Sequence, residues 1–181
     1  MLTWARVNDP ELTTVLLGNL PLVRRIFENE RNPAVQRKDL AKWNEFRERY
    51  GLYFQELFPP VSDLSDPRFA PVEPNMVVKL AKGFANSYRH EEAKEAWFEQ
   101  IRSLASDHGF APTAGQYRKN PENFAGSIGH VSNAIRIALT GLTTSPDLFL
   151  VAQNLGEEEV LRRVRALTQL SKLIELTSGT K

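Results

Sequence analysis

The sequence predicts an all-α fold, and three observations lead to that prediction. In most segments apolar residues recur every three or four positions, which places them on one face of a helix. Residues that start and stop helices bracket these segments: Asp9-Pro10-Glu11 opens one, and Gly141 closes another. β-Branched residues never alternate with polar residues over the length of a strand.

Residues 1–60 predict a first helical subdomain. Behind the Asp9 start, apolar residues at helical spacing continue to Phe27, and Gly18 and Pro21 divide them into two helices. A break follows at residues 31–33.

A broad stripe of aliphatic and aromatic residues then runs from Asp39 to Phe58. It predicts one helix that ends at the Pro59-Pro60 pair. Aromatic rings at helical spacing are more often core than a platform for stacked bases, so we expect this set to be core. The set is Trp43, Tyr50, Tyr53 and Phe54.

Five of the 11 prolines fall between residues 59 and 74. Such a density of proline is typical of a connector. We therefore expect residues 61–73 to join the first subdomain to a second one, at residues 74–181.

The second subdomain contains five predicted helices. They start at about Pro74, Glu91, Ser127, the segment Ser145-Pro146-Asp147, and Glu157. Capping residues, first-turn carboxylates or a first-turn proline mark most of these starts. Residues 110–126 are predicted to be a loop because they are rich in glycine and proline.

Composition excludes several classes of protein. The net charge of the 181 residues is +1, and no apolar run is long enough to span a membrane. With no cysteine and three widely spaced histidines, we expect no disulfide and no metal site. The N-terminus does not resemble a signal peptide, so the cytoplasm is the expected location.

No set of residues predicts a catalytic site. The sequence lacks a phosphate-binding Gly-x-x-x-x-Gly-Lys loop and a Gly-x-Ser-x-Gly nucleophile turn. Gly126-Ser-Ile-Gly-His130 resembles a phosphate-binding turn, but it follows no predicted strand, and the start of a helix is the better interpretation. His130 is then either a surface residue at that helix end or a contact for RNA.

A candidate for RNA binding lies in the predicted loop. Tyr117 is flanked by Arg118 and Lys119. An exposed aromatic ring beside two bases suits stacking on an unpaired nucleotide with phosphate neutralisation close by.

A resemblance to a known family lies further along the chain. The motifs are Ile135-Arg-Ile-Ala-Leu-Thr-Gly141, Pro146-Asp-Leu-Phe149, Leu155-Gly156 and Leu161-Arg162-Arg163. Together they resemble the anticodon-binding region that follows the catalytic core of bacterial glutamyl-tRNA synthetases. Looser matches upstream extend the resemblance over most of residues 30–170.

The resemblance implies two helical subdomains, of which the second is a helical cage that binds an anticodon. The family's His-x-Gly-His element and Lys-Met-Ser-Lys-Ser-like loop do not occur in this sequence. We therefore expect the chain to resemble a C-terminal portion of a glutamate–tRNA ligase and to be inactive alone. It would carry no cofactor, because ATP would bind in the catalytic domain of the parent enzyme.

The implied partners are a tRNA of the glutamate type and the catalytic domain of the same synthetase. Arg136, Arg162 and Arg163 lie within the motifs and are candidates for contact with RNA. Arg136 could instead pair with an acid or cap a neighbouring helix end, and Arg162 and Arg163 could lie on a solvated face. A helical interaction module that kept the fold without the function is the alternative for the whole chain.

Overall fold

The structure, a computed structural model, describes residues 1–31 and 40–178. Over these residues the chain forms ten α-helices and no strand, so the all-α prediction is confirmed. The helices are α1 (Leu2–Asn8), α2 (Pro10–Gly18), α3 (Leu20–Arg31), α4 (Phe46–Tyr50), α5 (Pro74–Ser87), α6 (Lys94–Asp107), α7 (Ala114–Lys119), α8 (Ile128–Thr140), α9 (Leu148–Leu155) and α10 (Glu157–Ser178). None of the described helices is long and apolar enough to cross a membrane.

The chain divides into two compact units, Met1–Pro59 and Pro60–Lys181. In the first unit, Asp9 starts α2 by accepting a hydrogen bond from the main-chain N–H of Leu12 at 3.0 Å. The same carboxylate accepts from Arg47 Nε at 2.9 Å and from Nη2 at 2.7 Å. This two-point contact joins α2 to α4 and holds the pKa of Asp9 below its ordinary value.

The predicted helix from Asp39 to Phe58 is wrong. Only α4 is α-helical there, with 3₁₀ turns at Trp43–Glu45 and Gly51–Tyr53 on either side. In a straight helix Phe46 and Phe54 would lie about 12 Å apart along the axis. Instead, the chain turns so that the rings pack on one another, and neighbouring centroids lie between 5.2 and 6.3 Å apart: Phe46–Tyr50, Phe46–Phe54 and Tyr50–Tyr53.

Three of the four rings expected in the core are buried, namely Tyr50, Tyr53 and Phe54. Trp43 is 43% exposed, and its ring meets that of Phe27 edge-on, with centroids 6.0 Å apart. The predicted break at residues 32–33 and the start of the stripe at Asp39 lie outside the described residues.

The proline-rich segment at residues 61–73 is folded onto the second unit. Leu64, Phe69 and Val72 are buried, and the turn Pro67–Phe69 packs against α8. The apolar residues between the prolines therefore serve as anchors for the second unit.

Helix α5 lies at the centre of the second unit, where it packs on α6, α8 and α10. Helix α8 is the most completely buried, because Val131, Ala134, Ile135, Ile137, Ala138 and Leu139 all face the interior. It ends where Gly141 adopts the left-handed conformation with φ of 68°, as the sequence predicts.

The predicted loop at residues 110–126 contains a short helix, α7. Thr113 caps it by accepting a hydrogen bond from the main-chain N–H of Gln116 at 3.2 Å. Gly115 and the nearby prolines concealed this local signal. Tyr117, Arg118 and Lys119 are thus presented by the last turn of a helix and not by a loop.

Candidate nucleic-acid interface

The two ends of the segment that carries α7 lie side by side and are hydrogen-bonded to each other. Ala111 donates from its main-chain nitrogen to the carbonyl of Gly126 at 2.9 Å, and its own carbonyl accepts from Ile128 at 2.9 Å. These bonds form the isolated parallel bridge between Ala111 and Ser127. The bridge fixes both ends of the excursion and brings α7 to the start of α8.

Tyr117 and His130 meet across this junction. Their rings pack edge to face, with centroids 5.9 Å apart and planes at 83°. Both side chains are half-buried. The Tyr117 ring is therefore partly packed against His130 and partly exposed to solvent.

His130 also caps α8. Its Nδ1 accepts a hydrogen bond from the main-chain N–H of Ser127 at 3.1 Å, so the neutral ring carries its proton on Nε2. Helix α8 starts at Ile128, which agrees with the interpretation of Gly126–His130 as a helix start. A Cβ at Gly126 would lie 2.6 Å from His130 Nδ1, so this close approach requires glycine.

Arg118 and Lys119 are exposed at the end of α7. Their charges lie at the C-terminal end of the helix, where the helix dipole favours cations. Arg118 Nε reaches the carbonyl of Ala114 at 3.4 Å, a long contact within the same helix. Neither side chain forms an ion pair with another of the described residues. Arg118 and Lys119 can therefore bind an external anion without breaking such a pair.

Arg136 lies near the other end of α8 and is half-buried. Its Nε donates to Ser145 Oγ at 3.1 Å, and that hydroxyl donates in turn to the carbonyl of Pro146 at 2.9 Å. The guanidinium is thus tied to the turn that precedes α9, which orients its plane.

Arg162 and Arg163 share one carboxylate. Glu159 accepts from Arg162 Nε and Nη2 at 2.6 and 2.7 Å and from Arg163 Nε at 2.6 Å. These bonds, that of Arg162 first, hold the pKa of Glu159 below its ordinary value against the opposing effect of burial.

The two arginines differ in exposure. The side chain of Arg162 is 50% exposed, whereas that of Arg163 is 1% exposed. Arg163 Nη1 donates to the carbonyl of Leu139 at 2.6 Å, and burial lowers the pKa of this guanidinium. Arg163 therefore has no exposed surface to offer to RNA, and its visible role is to join α10 to α8.

The structure brings the sequence candidates together in pairs, Tyr117 with His130 and Arg162 with Arg163. It also reveals contacts of residues that were not among the candidate site residues: Ser145 accepts from Arg136, and Asn133 of α8 donates to the carbonyl of Arg68. Their partners lie up to 65 positions away in sequence, so local patterns gave no signal for the last two. No group of acidic or histidine side chains suited to a metal ion occurs among the described residues.

Comparison with known protein families assigns a class to this arrangement. Residues 121–168 match the family model of the anticodon-binding domain. The match covers α8, α9 and the first half of α10, and so contains His130, Arg136 and Arg162. Helix α7 lies just before it.

Curated relatives extend the match over most of the chain. The glutamate–tRNA ligase of Clostridium perfringens strain 13 is 30% identical over 163 residues, which is 89% of this chain and 30% of the relative. That of Acetivibrio thermocellus is 32% identical over 167 residues, or 92% of this chain and 30% of the relative. That of Sorangium cellulosum is 32% identical over 163 residues, or 90% and 28%.

The chain spans about 30% of the length of these three relatives. None of the solved structures matches it. The fold and the family match define an all-helical anticodon-binding domain. The chain around it is similar to the C-terminal region of glutamate–tRNA ligases, so the resemblance drawn from the sequence is confirmed.

Proposed function

We propose that this chain binds the anticodon of a glutamate tRNA and positions that tRNA for ligation by a glutamate–tRNA ligase. The similarity of residues 121–168 to the anticodon-binding domain carries the proposal. ATP and glutamate would bind in the catalytic domain of the same ligase, which is the second partner, and the reaction would take place in the cytoplasm.

The end of α7 suits the backbone of single-stranded RNA. Arg118 and Lys119 supply two exposed positive charges, and each phosphate they neutralise releases counterions. Tyr117 lies beside them with its ring braced by His130. A braced ring loses little conformational entropy when a base stacks on it, which favours binding.

Arg136 suits a base edge. A guanidinium can donate two parallel hydrogen bonds to a base, and discrimination between bases depends on how well its plane is oriented. Ser145 supplies that orientation through Nε. Arg136 would distinguish one nucleotide base from another, whereas Arg118 and Lys119 would bind the phosphates of any RNA strand.

Arg162 would contribute at the edge of the site. It is half exposed, but Glu159 already pairs with it at two points. An RNA phosphate would have to share this guanidinium with Glu159, so we expect its removal to weaken binding less than removal of Arg118 and Lys119. Arg163 is left out of the proposed contacts because it is buried.

Fluorescence anisotropy with labelled glutamate tRNA tests the proposal. We expect sub-micromolar binding at low salt, weaker binding at high salt, and weaker binding to tRNAs with substituted anticodons. Absence of binding at low salt would contradict the proposal and favour a helical interaction module without RNA-binding function. Equal affinity for tRNAs with native and substituted anticodons would contradict the proposal that this chain recognises the anticodon.

A charge-matched pair of variants tests the α7 contacts. The slope of log binding constant against log salt concentration is negative, and each contact with single-stranded RNA contributes about 0.7 to its magnitude. Replacement of both Arg118 and Lys119 by alanine should therefore reduce that magnitude by up to about 1.4. The control replaces Lys79 and Lys82, two exposed bases on α5, and so removes the same charge. Equal losses for the two variants would mean that only net charge matters.

A further inference from the structure

Arg68 contacts α8 at two places. Its main-chain carbonyl accepts a hydrogen bond from Asn133 Nδ2 at 3.0 Å, and its Nη1 donates to the carbonyl of Gly141. These two residues of the α8 segment are eight positions apart, or about 12 Å along a helix. The segment around Arg68 thus lies beside the stretch of α8 that carries Arg136.

Asp66 holds the Arg68 side chain in place. Its carboxylate accepts from Arg68 Nε at 2.9 Å and from Nη2 at 2.6 Å, and it also accepts from the main-chain N–H of Arg68 at 2.9 Å. The pair lowers the pKa of Asp66 and raises that of Arg68. Next to it, Phe69 is 2% exposed and anchors the turn in the core.

The Gly141 carbonyl needs such a partner. The last carbonyls of a helix have no bond within the helix, and Gly141 is buried, so its oxygen depends on a donor from the protein. Arg163 serves the carbonyl of Leu139 in the same way. Two guanidiniums, from two different segments, therefore fix where the chain leaves α8.

The exit from α8 determines the position of Ser145. Leu142 is held next by the hydroxyl of Thr140, which accepts from its main-chain N–H at 3.1 Å. Three residues later, Ser145 accepts from Arg136 Nε. A shift of the chain at Gly141 would therefore be passed to the hydroxyl that orients Arg136.

We propose that Arg68, held by Asp66, is a positioning residue for Arg136 in anticodon recognition. The inference rests on the proposed function. It assigns a role to a residue outside the stretch that matches the anticodon-binding domain. Arg68 is not required to touch RNA, since its effect passes through the Gly141–Ser145 turn.

The test uses the full chain with Arg68→Met and Asp66→Asn, and with Arg89→Met as the control. Arg89 is an exposed arginine that bonds only nearby carbonyls of its own segment in the hydrogen bonds described for it, so the control removes the same charge. Anisotropy compares the glutamate tRNA with a tRNA whose anticodon is substituted. We expect Arg68→Met to reduce discrimination between them by about tenfold, Asp66→Asn to have a smaller effect in the same direction, and the control to have none.

Arg136→Met completes a double-mutant cycle. If Arg68 acts through Arg136, its replacement should cost no further discrimination once Arg136 is gone. Additive losses would overturn the proposal, because Arg68 would then act independently. Unchanged discrimination together with a lower melting temperature would overturn it as well, since the role would be structural alone.

A measurement without RNA separates this inference from the proposed function. The ¹⁵N NMR signal of the Arg136 Nε–H group should shift in Arg68→Met and Asp66→Asn, and stay in place in Arg89→Met. If the wild-type chain bound no tRNA, the proposed function would fail and this signal would still test the link between Arg68 and Arg136. A signal that does not move in Arg68→Met would refute the link.

Discussion

Arg163 on α10 donates a hydrogen bond from Nη1 to the main-chain carbonyl of Leu139 on α8, at 2.6 Å. Its Nε donates to Glu159, and the side chain is 1% exposed. A buried guanidinium is tolerated only where its donors are matched to acceptors. This one lies between a carboxylate and a helix end that carries partial negative charge.

Replacement of Arg163 by methionine should destabilise the second unit by about 2–4 kcal/mol. Methionine fills much of the space, but the Leu139 carbonyl loses its donor, and Glu159 retains only Arg162. Urea unfolding of the full chain, followed by circular dichroism, measures the effect.

Arg165→Met is the control for this change, because Arg165 is an exposed arginine on the same helix. It should alter the free energy of unfolding by no more than about 0.5 kcal/mol. If Arg163→Met left stability unchanged but abolished RNA binding, the buried role assigned to Arg163 would be wrong.

Glu159 makes the stability of the second unit depend on pH in the acidic range. Its pKa in the folded chain lies below the ordinary value of 4.5, chiefly because of its bonds to Arg162. The unfolded chain therefore takes up the proton first as the pH falls. The stabilisation is complete above pH 4.5 and is lost as the pH falls through the lower, folded-state pKa.

Glu159→Gln should therefore flatten the loss of stability below about pH 4.5, and it should lower stability near neutral pH. Urea unfolding at intervals between about pH 3 and about pH 6 follows both effects. Glu158→Gln removes an exposed carboxylate from the same helical turn and is the control. Parallel pH profiles for wild type and Glu159→Gln would show that Glu159 is not a source of the acid sensitivity.

Local chemistry made much of the fold predictable. Gly141 ends α8, and the Asp147 carboxylate starts α9 by accepting from the main-chain N–H of Leu150 at 3.2 Å, as the sequence indicates. Both signals act within four residues. The predicted helix from Asp39 to Phe58 failed because packing among its rings outweighed helical periodicity.

The candidate site was less predictable because its partners are distant in sequence. Arg163 meets Leu139 across 24 positions, and Arg68 meets Gly141 across 73. Helical spacing places Arg163 on the buried face of Val160 and Leu167 and leaves Arg162 off it, but that spacing does not show which groups Arg163 contacts. The packing of α10 on α8 supplies the partner, the Leu139 carbonyl, which accepts from Arg163.

Gly126→Ala should disturb the start of α8 because the added Cβ would lie 2.6 Å from His130 Nδ1 and 3.0 Å from the Phe110 ring. Phe110 is buried, so the imidazole is the group that must move, and its hydrogen bond from Ser127 would be lost. Lost capping and overpacking together should cost about 1–3 kcal/mol. The melting temperature and the ¹⁵N signals of the His130 ring report the two effects.

Gly115→Ala is the control for this change. The nearest neighbour of its added Cβ would be 4.0 Å away, and alanine in place of glycine should stabilise α7. An unshifted His130 signal in Gly126→Ala would mean that the close approach does not require glycine.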